Sequence, residues 1–457
     1  MSKNYFQPHI IFLIVALIYG ISFLVITPPF QVPDESAHFL KAFYLSDGHI
    51  IPEKNDYYFP KDVENVTTSF SYLNTDDKVK IKDTLLSLNQ PFNPNNEVFI
   101  DISKIAIYPP ISYLAAAFII NIGKILGLPI LTLMYLGRAI NLIIWIIFVY
   151  YTIKITPFYK WVFLLLALMP MTLFLAASLS ADSFNIGLSF LTIAIFFKFA
   201  FDDNIEKIKM KELLIIFISI FILSLSKQGY AALLLLFFII PLNKFENNRI
   251  RNLALATIGS ITLAFTGIWN LLFKNTYVAT SSPLISASGQ ISFILSNPLN
   301  FIYILLNTLY TLLNLYLIMF VGDLGSLDIP LPEWIVYSYI IILIIVALID
   351  KNESIVSLKQ KLISLIPFLV VSIFIFVFEY ITWTPVGNNL IGGVQGRYFI
   401  PVAPLLLLLF YNQKFNINLQ DKKINFKLRN SVNLAITIFM ILILFNTVLI
   451  LISRYYI

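Results

Sequence analysis

The chain has 457 residues, 58% of them hydrophobic and only 12% charged, with a mean hydropathy of +0.83. A soluble domain carries about a quarter charged residues, so this composition excludes an ordinary soluble enzyme. The absence of cysteine excludes disulfides, a thiolate metal site and a cysteine nucleophile, and the net charge of +6 reflects membrane orientation and makes no case for nucleic acid.

The first apolar run, at about 9–27, predicts a membrane helix. No small-residue cleavage site follows it, so it reads as a retained anchor. Directly after it stands Pro33-Asp34-Glu35-Ser36-Ala37-His38-Phe39, with Lys41 close behind. Two adjacent carboxylates and an imidazole at a membrane–water boundary mark a functional site by default. The same residues also fit a helix start with Asp34 as N-cap. His38 lies one turn after Asp34, so on a helix the two share a face. The three histidines, His9, His38 and His49, lack metal-ligand spacing. Residues 50–100, rich in Asn, Asp, Lys and Pro, carry no legible chemistry.

Further spans are predicted at about 129–153, 160–178, 183–201, 210–226, 229–243, 252–272, 333–350, 361–380, 397–412 and 431–453. The expected fold is therefore all-α, a single polytopic membrane domain over 1–457 with about eleven transmembrane helices. Orientation follows the basic residues of the short loops. With the N-terminus cytoplasmic, Lys154, Lys160, Lys244, Arg249, Arg251, Lys351, Lys361, Lys414 and Arg429 all fall inside. The long loop 28–107 holds seven lysines against twelve acidic residues, a net −5 that suits the outer face.

Parity then decides two doubtful stretches. If 108–126 crossed, the basic 413–430 loop would move outside, so 108–126 is expected as a surface helix closing an extracytoplasmic region 28–128. By the same logic 299–320 lies in the interface. It carries a stripe of Asn300, Tyr303, Asn307, Thr311 and Asn314 at helical spacing.

This topology collects unusual residues on the outer side. They are Asp34, Glu35, His38 and Lys41; Tyr108 before a Pro-Pro pair; Asp182 in Ser180-Ala181-Asp182-Ser183; Lys227 in a tight turn; Glu379 with the segment after it; and Gln395-Gly396-Arg397-Tyr398. Each has a plain alternative: a helix cap for Asp182, a snorkelling lysine for Lys227, a headgroup contact for Arg397. Together they suit a lipid phosphate held by Lys and Arg, with a carboxylate to deprotonate an acceptor.

The runs P-D-E-x-x-H-F at 33–39, Y-P-P-I at 108–111, S-A-D-S at 180–183, S-K-Q-G-Y at 226–230, G-D-L-G-S-L-D-I-P-L-P at 322–332 and Q-G-R-Y-F-I-P at 395–401 carry a resemblance over nearly the whole chain. It resembles the GT-C-fold glycosyltransferases that use polyprenyl-phosphate sugars. It is most similar to a bacterial branch of multi-spanning membrane proteins known only as a domain of unknown function. The resemblance implies a catalytic base at Asp34 with Glu35 as neighbour, a second acidic residue at Asp182, and phosphate-binding bases at Lys227 and Arg397. It also implies surface helices at roughly 34–47 and 108–126. His38, Lys41, Tyr108, Gln395 and Tyr398 complete the expected donor-binding set. Some oligosaccharyltransferase relatives carry a large soluble C-terminal domain and a divalent metal. This chain departs from them by ending after one more span, which puts a metal cofactor in doubt, so a divalent metal is compatible with the resemblance but not indicated and no other cofactor is expected.

The implied reaction is inverting transfer of a sugar to a cell-surface polysaccharide, a lipid-linked glycan or a protein, at the outer face of a bacterial plasma membrane. Two alternatives stand beside it. A transporter or flippase for lipid-linked sugars places charges near the bilayer midplane and often shows internal repeats. A polysaccharide polymerase differs mainly in its acceptor.

Overall fold

The computed structural model describes residues 7–51, 57–74, 77–90, 93, 95–106, 108–273, 284–350, 354–412 and 422–457. Two of the basic residues used for orientation, Lys351 and Lys414, lie outside that set. In chain order the helices are α1 (Pro8–Ile26), α2 (Glu35–Ser46), α3 (Lys61–Ser69), α4 (Ile81–Asn89), α5 (Ser103–Ala106), α6 (Leu114–Ile125), α7 (Ile130–Ile155), α8 (Lys160–Ala167) and α9 (Pro170–Ala176). Then follow α10 (Ala181–Phe201), α11 (Met210–Ser226), α12 (Asn248–Phe273), α13 (Ala287–Ser296), α14 (Pro298–Val321), α15 (Glu333–Ile349), α16 (Leu358–Thr382), α17 (Ala403–Leu407) and α18 (Lys422–Tyr455). Two small antiparallel ribbons complete the fold. β1 (Tyr58–Pro60) pairs with β2 (Glu97–Phe99), and β3 (Asp323–Leu324) pairs with β4 (Ile329–Pro330).

Among the described residues, seven helices are long and apolar enough to cross a bilayer. These are Pro8–Ile26, Ile130–Ile155, Ala181–Phe201, Asn248–Leu272, Pro298–Val321, Leu358–Thr382 and Asn430–Tyr455. The protein is an all-α membrane protein. Three expected spans are irregular. The 160–178 run breaks at Leu168-Met169, because Pro170 has no N–H to continue a helix and instead opens α9 at its first position. The 229–243 run is a 3₁₀ helix, Gln228–Ile239. The 397–412 run is a short α17 flanked by 3₁₀ turns, with Pro401 and Pro404 inside it.

Contacts sort the helix ends into two sets. At one end, Tyr456 donates its hydroxyl to the Ile26 carbonyl at 3.0 Å, Arg454 faces Asp328 at 3.5 Å, and Gln228 bonds Asn270 at 2.7 Å. At the other end, Asp350 accepts from the Trp161 amide at 3.0 Å, Lys244 reaches the Asp202 carbonyl at 2.8 Å, and Lys361 reaches the Leu409 carbonyl at 3.2 Å. The first end, which we call the mouth, carries the 28–128 region. That region has its own apolar core of Phe30, Phe39, Phe43, Phe59, Phe70 and Ile120, separate from the bundle core.

The two doubtful stretches both make contacts at the mouth. α6 has 12 residues and packs beside α2, where Asn121 donates to the Ser46 carbonyl at 2.8 Å and Lys124 pairs with Asp47 at 2.8 Å. α14 is long enough to cross, yet contacts along its length lead to mouth residues. Phe301 stacks on Tyr380 at the end of α16, Thr308 accepts from the Ile391 amide at 3.0 Å, and the stretch after its last turn leads to Asp328. Its polar stripe faces outward, with Asn300, Tyr303, Thr311 and Asn314 exposed.

Candidate active site

At the mouth, one chain of ion pairs joins four elements remote in sequence. Arg397 donates to Asp34 Oδ2 at 3.0 Å and to Asp182 Oδ2 at 3.1 Å, and Lys227 approaches Asp182 Oδ1 at 3.6 Å. Asp34 comes from the turn after α1, Asp182 from the start of α10, Lys227 from the end of α11, and Arg397 from the 3₁₀ turn Gly396–Val402.

Local structure explains each placement. Ser180 caps α10 by accepting from the Asp182 amide at 3.1 Å, which leaves the Asp182 carboxylate free to turn toward the bases. Gly396 lets the Arg397 turn press against α14, because a Cβ there would stand 2.0 Å from the Tyr316 carbonyl oxygen. Lys227 lies over the rings of Tyr398 (4.7 Å) and Tyr230 (5.7 Å), and Tyr230 donates its hydroxyl to the Tyr398 carbonyl at 2.9 Å. Gln395 accepts from Arg397 Nε at 2.5 Å and steadies the guanidinium.

Asp34 occupies the N-cap position of α2 without capping it. Its backbone is left-handed, φ 62° and ψ 8°, and its side chain makes no cap bond and turns instead to Arg397. Asp tolerates this conformation better than most residues, but a non-glycine there is uncommon and costs energy, and such strain clusters at functional sites. The Asp34 side chain stays 65% exposed while that of Arg397 is 1% exposed.

Glu35 points the other way. Its Oε1 accepts from Arg138 Nε at 2.8 Å and from the Leu179 amide at 2.9 Å. Its Oε2 accepts from Arg138 at 2.6 Å and from the Phe30 amide at 3.1 Å. Arg138 spends its remaining donors on the carbonyls of Leu24, Thr27 and Pro28. Both side chains are 0% exposed. The expectation that Glu35 shares the catalytic role of Asp34 is corrected here: its lone pairs are all taken, so it is a positioning residue. It ties the turn 24–35 to α7 and to the Ser178-Leu179-Ser180 corner. Arg138 was missed from sequence, although a lone arginine in the apolar 130–153 run is itself a signal.

His38 shares a hydrogen bond of 2.9 Å with the Tyr113 hydroxyl. Burial, with a smaller push from Arg397, holds the imidazole below its ordinary range against the pull of Asp34, Asp182 and Glu35. Burial also lifts the Tyr113 phenol well above its usual value. Tyr108 stands exposed within electrostatic reach of Tyr113. Lys41 is fully enclosed in α2, and burial draws its amine down to about 8.

The structure thus brings together Asp34, Asp182, Lys227, Gln395, Arg397 and Tyr398, with His38 in electrostatic reach. It turns Glu35 away. A fifth charged residue belongs with them: Glu379, near the end of α16, lies within electrostatic reach of Lys227, Arg397 and Asp34. Among the described residues, no group of three or more His, Asp or Glu side chains is arranged to hold a metal ion.

The chain belongs to the DUF2142 family of predicted membrane proteins. The match covers residues 17–406 and takes in every member of the ion-pair chain. No curated protein and no solved structure matches the chain. In this DUF2142 protein the charged residues of the mouth come from across the matched range, from Asp34 to Arg397.

Proposed function

We propose that this protein is a GT-C-like glycosyltransferase that moves a sugar, with inversion, from a polyprenyl phosphate to an acceptor at the outer face of a bacterial plasma membrane. One observation carries the reading: the chain Asp34–Arg397–Asp182–Lys227 sets two carboxylates and two bases at one end of a membrane bundle. A planar guanidinium and an ammonium are the groups that grip a phosphate, and an exposed carboxylate beside them is placed to take a proton from a hydroxyl.

The residues divide the work as follows. Donor phosphate oxygens replace Asp34 on Arg397 and join Lys227, while Asp182 keeps its contacts with both. Asp34, released from Arg397, deprotonates the acceptor hydroxyl. The hydroxyl oxygen attacks the anomeric carbon, the bond from that carbon to the phosphate oxygen breaks, and polyprenyl phosphate leaves with its charge held by Lys227 and Arg397. A phosphate is weakly basic, so its departure needs no strong general acid. Asp182 holds both bases in register.

The two sets of end contacts support eleven crossings, in which α8 and α9 form one span, the 3₁₀ helix Gln228–Ile239 another, and 396–410 another, while α6 and α14 stay at the mouth. Charges at one end, not mid-bundle, favour transfer over transport. Cysteines placed at Ser71 and Ser357 should label from opposite sides of the membrane. Labelling from one side refutes the topology.

Affinity for undecaprenyl phosphate in nanodiscs tests the phosphate grip. Arg397→Ala should weaken binding about tenfold or more, the worth of a hydrogen bond to a charged group. Arg397→Lys should recover only part, since a point charge cannot reproduce the fork. Wild-type affinity in both variants removes Arg397 from the role.

A further inference from the structure

Of the three carboxylates around Lys227 and Arg397, two are in ion pairs and the third is not. Asp34 and Asp182 hold the bases. Glu379 is only 8% exposed, and among the described residues its carboxylate has no hydrogen-bond or ion-pair partner. A largely buried carboxylate with no protein partner is costly unless water or a ligand satisfies it. Gly393 backs onto the carboxylate, and a Cβ there would stand 2.6 Å from Glu379 Oε2 and 3.0 Å from the Trp383 Cβ. Its φ of +82° also reserves the position for glycine. Gly392 beside it donates to the Thr384 hydroxyl at 3.0 Å, which pins the strand over the helix end.

Trp383 follows Glu379 by four residues, one turn on, at the C-terminal end of α16, and is 53% exposed. An acceptor-only carboxylate beside an open indole face is the chemistry that recognises a sugar ring. Hydroxyl hydrogens go to the carboxylate and the apolar C–H face goes to the aromatic ring.

We propose that Glu379 and Trp383, backed by Gly392-Gly393, form the subsite for the sugar of a lipid-linked donor. The carboxylate accepts from two ring hydroxyls and the indole stacks on the ring. The proposal rests on the lipid-phosphate reading above, with Lys227 and Arg397 holding the adjoining phosphate.

The test uses the full-length protein in nanodiscs. The probes are bare undecaprenyl phosphate and a panel of undecaprenyl-phosphate sugars bearing glucose, galactose, mannose, N-acetylglucosamine or arabinose. In the wild type at least one sugar should bind about tenfold or more tighter than the bare phosphate, the worth of hydrogen bonds to a charged group. Glu379→Gln should abolish that gain without weakening the bare phosphate, because it removes a negative charge and keeps the shape. Gly393→Ala should do the same by crowding the carboxylate, and Trp383→Leu should reduce the gain. A gain that survives Glu379→Gln overturns the subsite. So does a wild type that binds the bare phosphate and prefers no sugar. A wild type that binds neither lipid overturns the lipid-phosphate reading, and the subsite with it.

Discussion

Two arginines each take one of two neighbouring carboxylates, and the contrast between them separates structure from site. Arg138 holds Glu35 where neither is exposed, and every donor and acceptor of the pair is used, including five main-chain groups. Arg397 holds Asp34, 65% exposed, across the bundle mouth, and shares itself with Asp182 and Gln395. A saturated buried pair has nothing left to offer a ligand. A half-open pair can exchange its partner for one. Adjacency in sequence therefore says little about shared role: the left-handed backbone at Asp34 sends its side chain to the mouth, while Glu35 enters α2 and faces inward.

The contrast breaks most sharply at the buried pair. Glu35→Gln should leave Arg138 uncompensated and cost about 3–5 kcal/mol, the usual penalty for halving a buried ion pair, read as a large fall in melting temperature and monodisperse yield. A Glu35→Gln protein that melts like wild type would contradict the structural role.

A smaller effect is expected at the open pair. Asp182→Asn should keep the fold, since Arg397 retains Asp34 and Gln395. It should loosen Lys227 and Arg397 and reduce turnover less than loss of Asp34 does. The smallest effect is the pH response of His38. Its folded value lies below the unfolded 6.5, so its contribution to stability is present above about pH 6.5 and is lost as pH falls through the folded value. Melting temperature should decline from pH 7 to pH 5, and His38→Gln should flatten part of that slope.

Much of this was legible in the chain. Hydropathy and the basic loops placed Asp34, Asp182, Lys227 and Arg397 on one side, and the structure joins those four. The fate of Glu35 was not legible, because which of two adjacent carboxylates turns inward depends on the φ of Asp34, a backbone property. Arg138 was visible as a charge inside an apolar run, but its partner lies 103 residues away. Glu379 was noticed only as part of a boundary segment. Its importance comes from Gly393 closing over it, a contact between two ends of a loop. The breaks at 160–176 and 228–239 stayed hidden because continuous apolar runs hide the difference between a straight helix and a broken one. Pro170 was the one local clue.

The most direct test is turnover of a lipid-linked sugar by purified Asp34→Asn protein in nanodiscs, with folding checked against wild type. Loss of the general base with the fold intact should lower the rate by about 10²–10⁴ while the melting temperature stays near that of wild type. Full wild-type turnover by Asp34→Asn would contradict the assignment of Asp34 as the base and, with it, the proposed chemistry of the mouth.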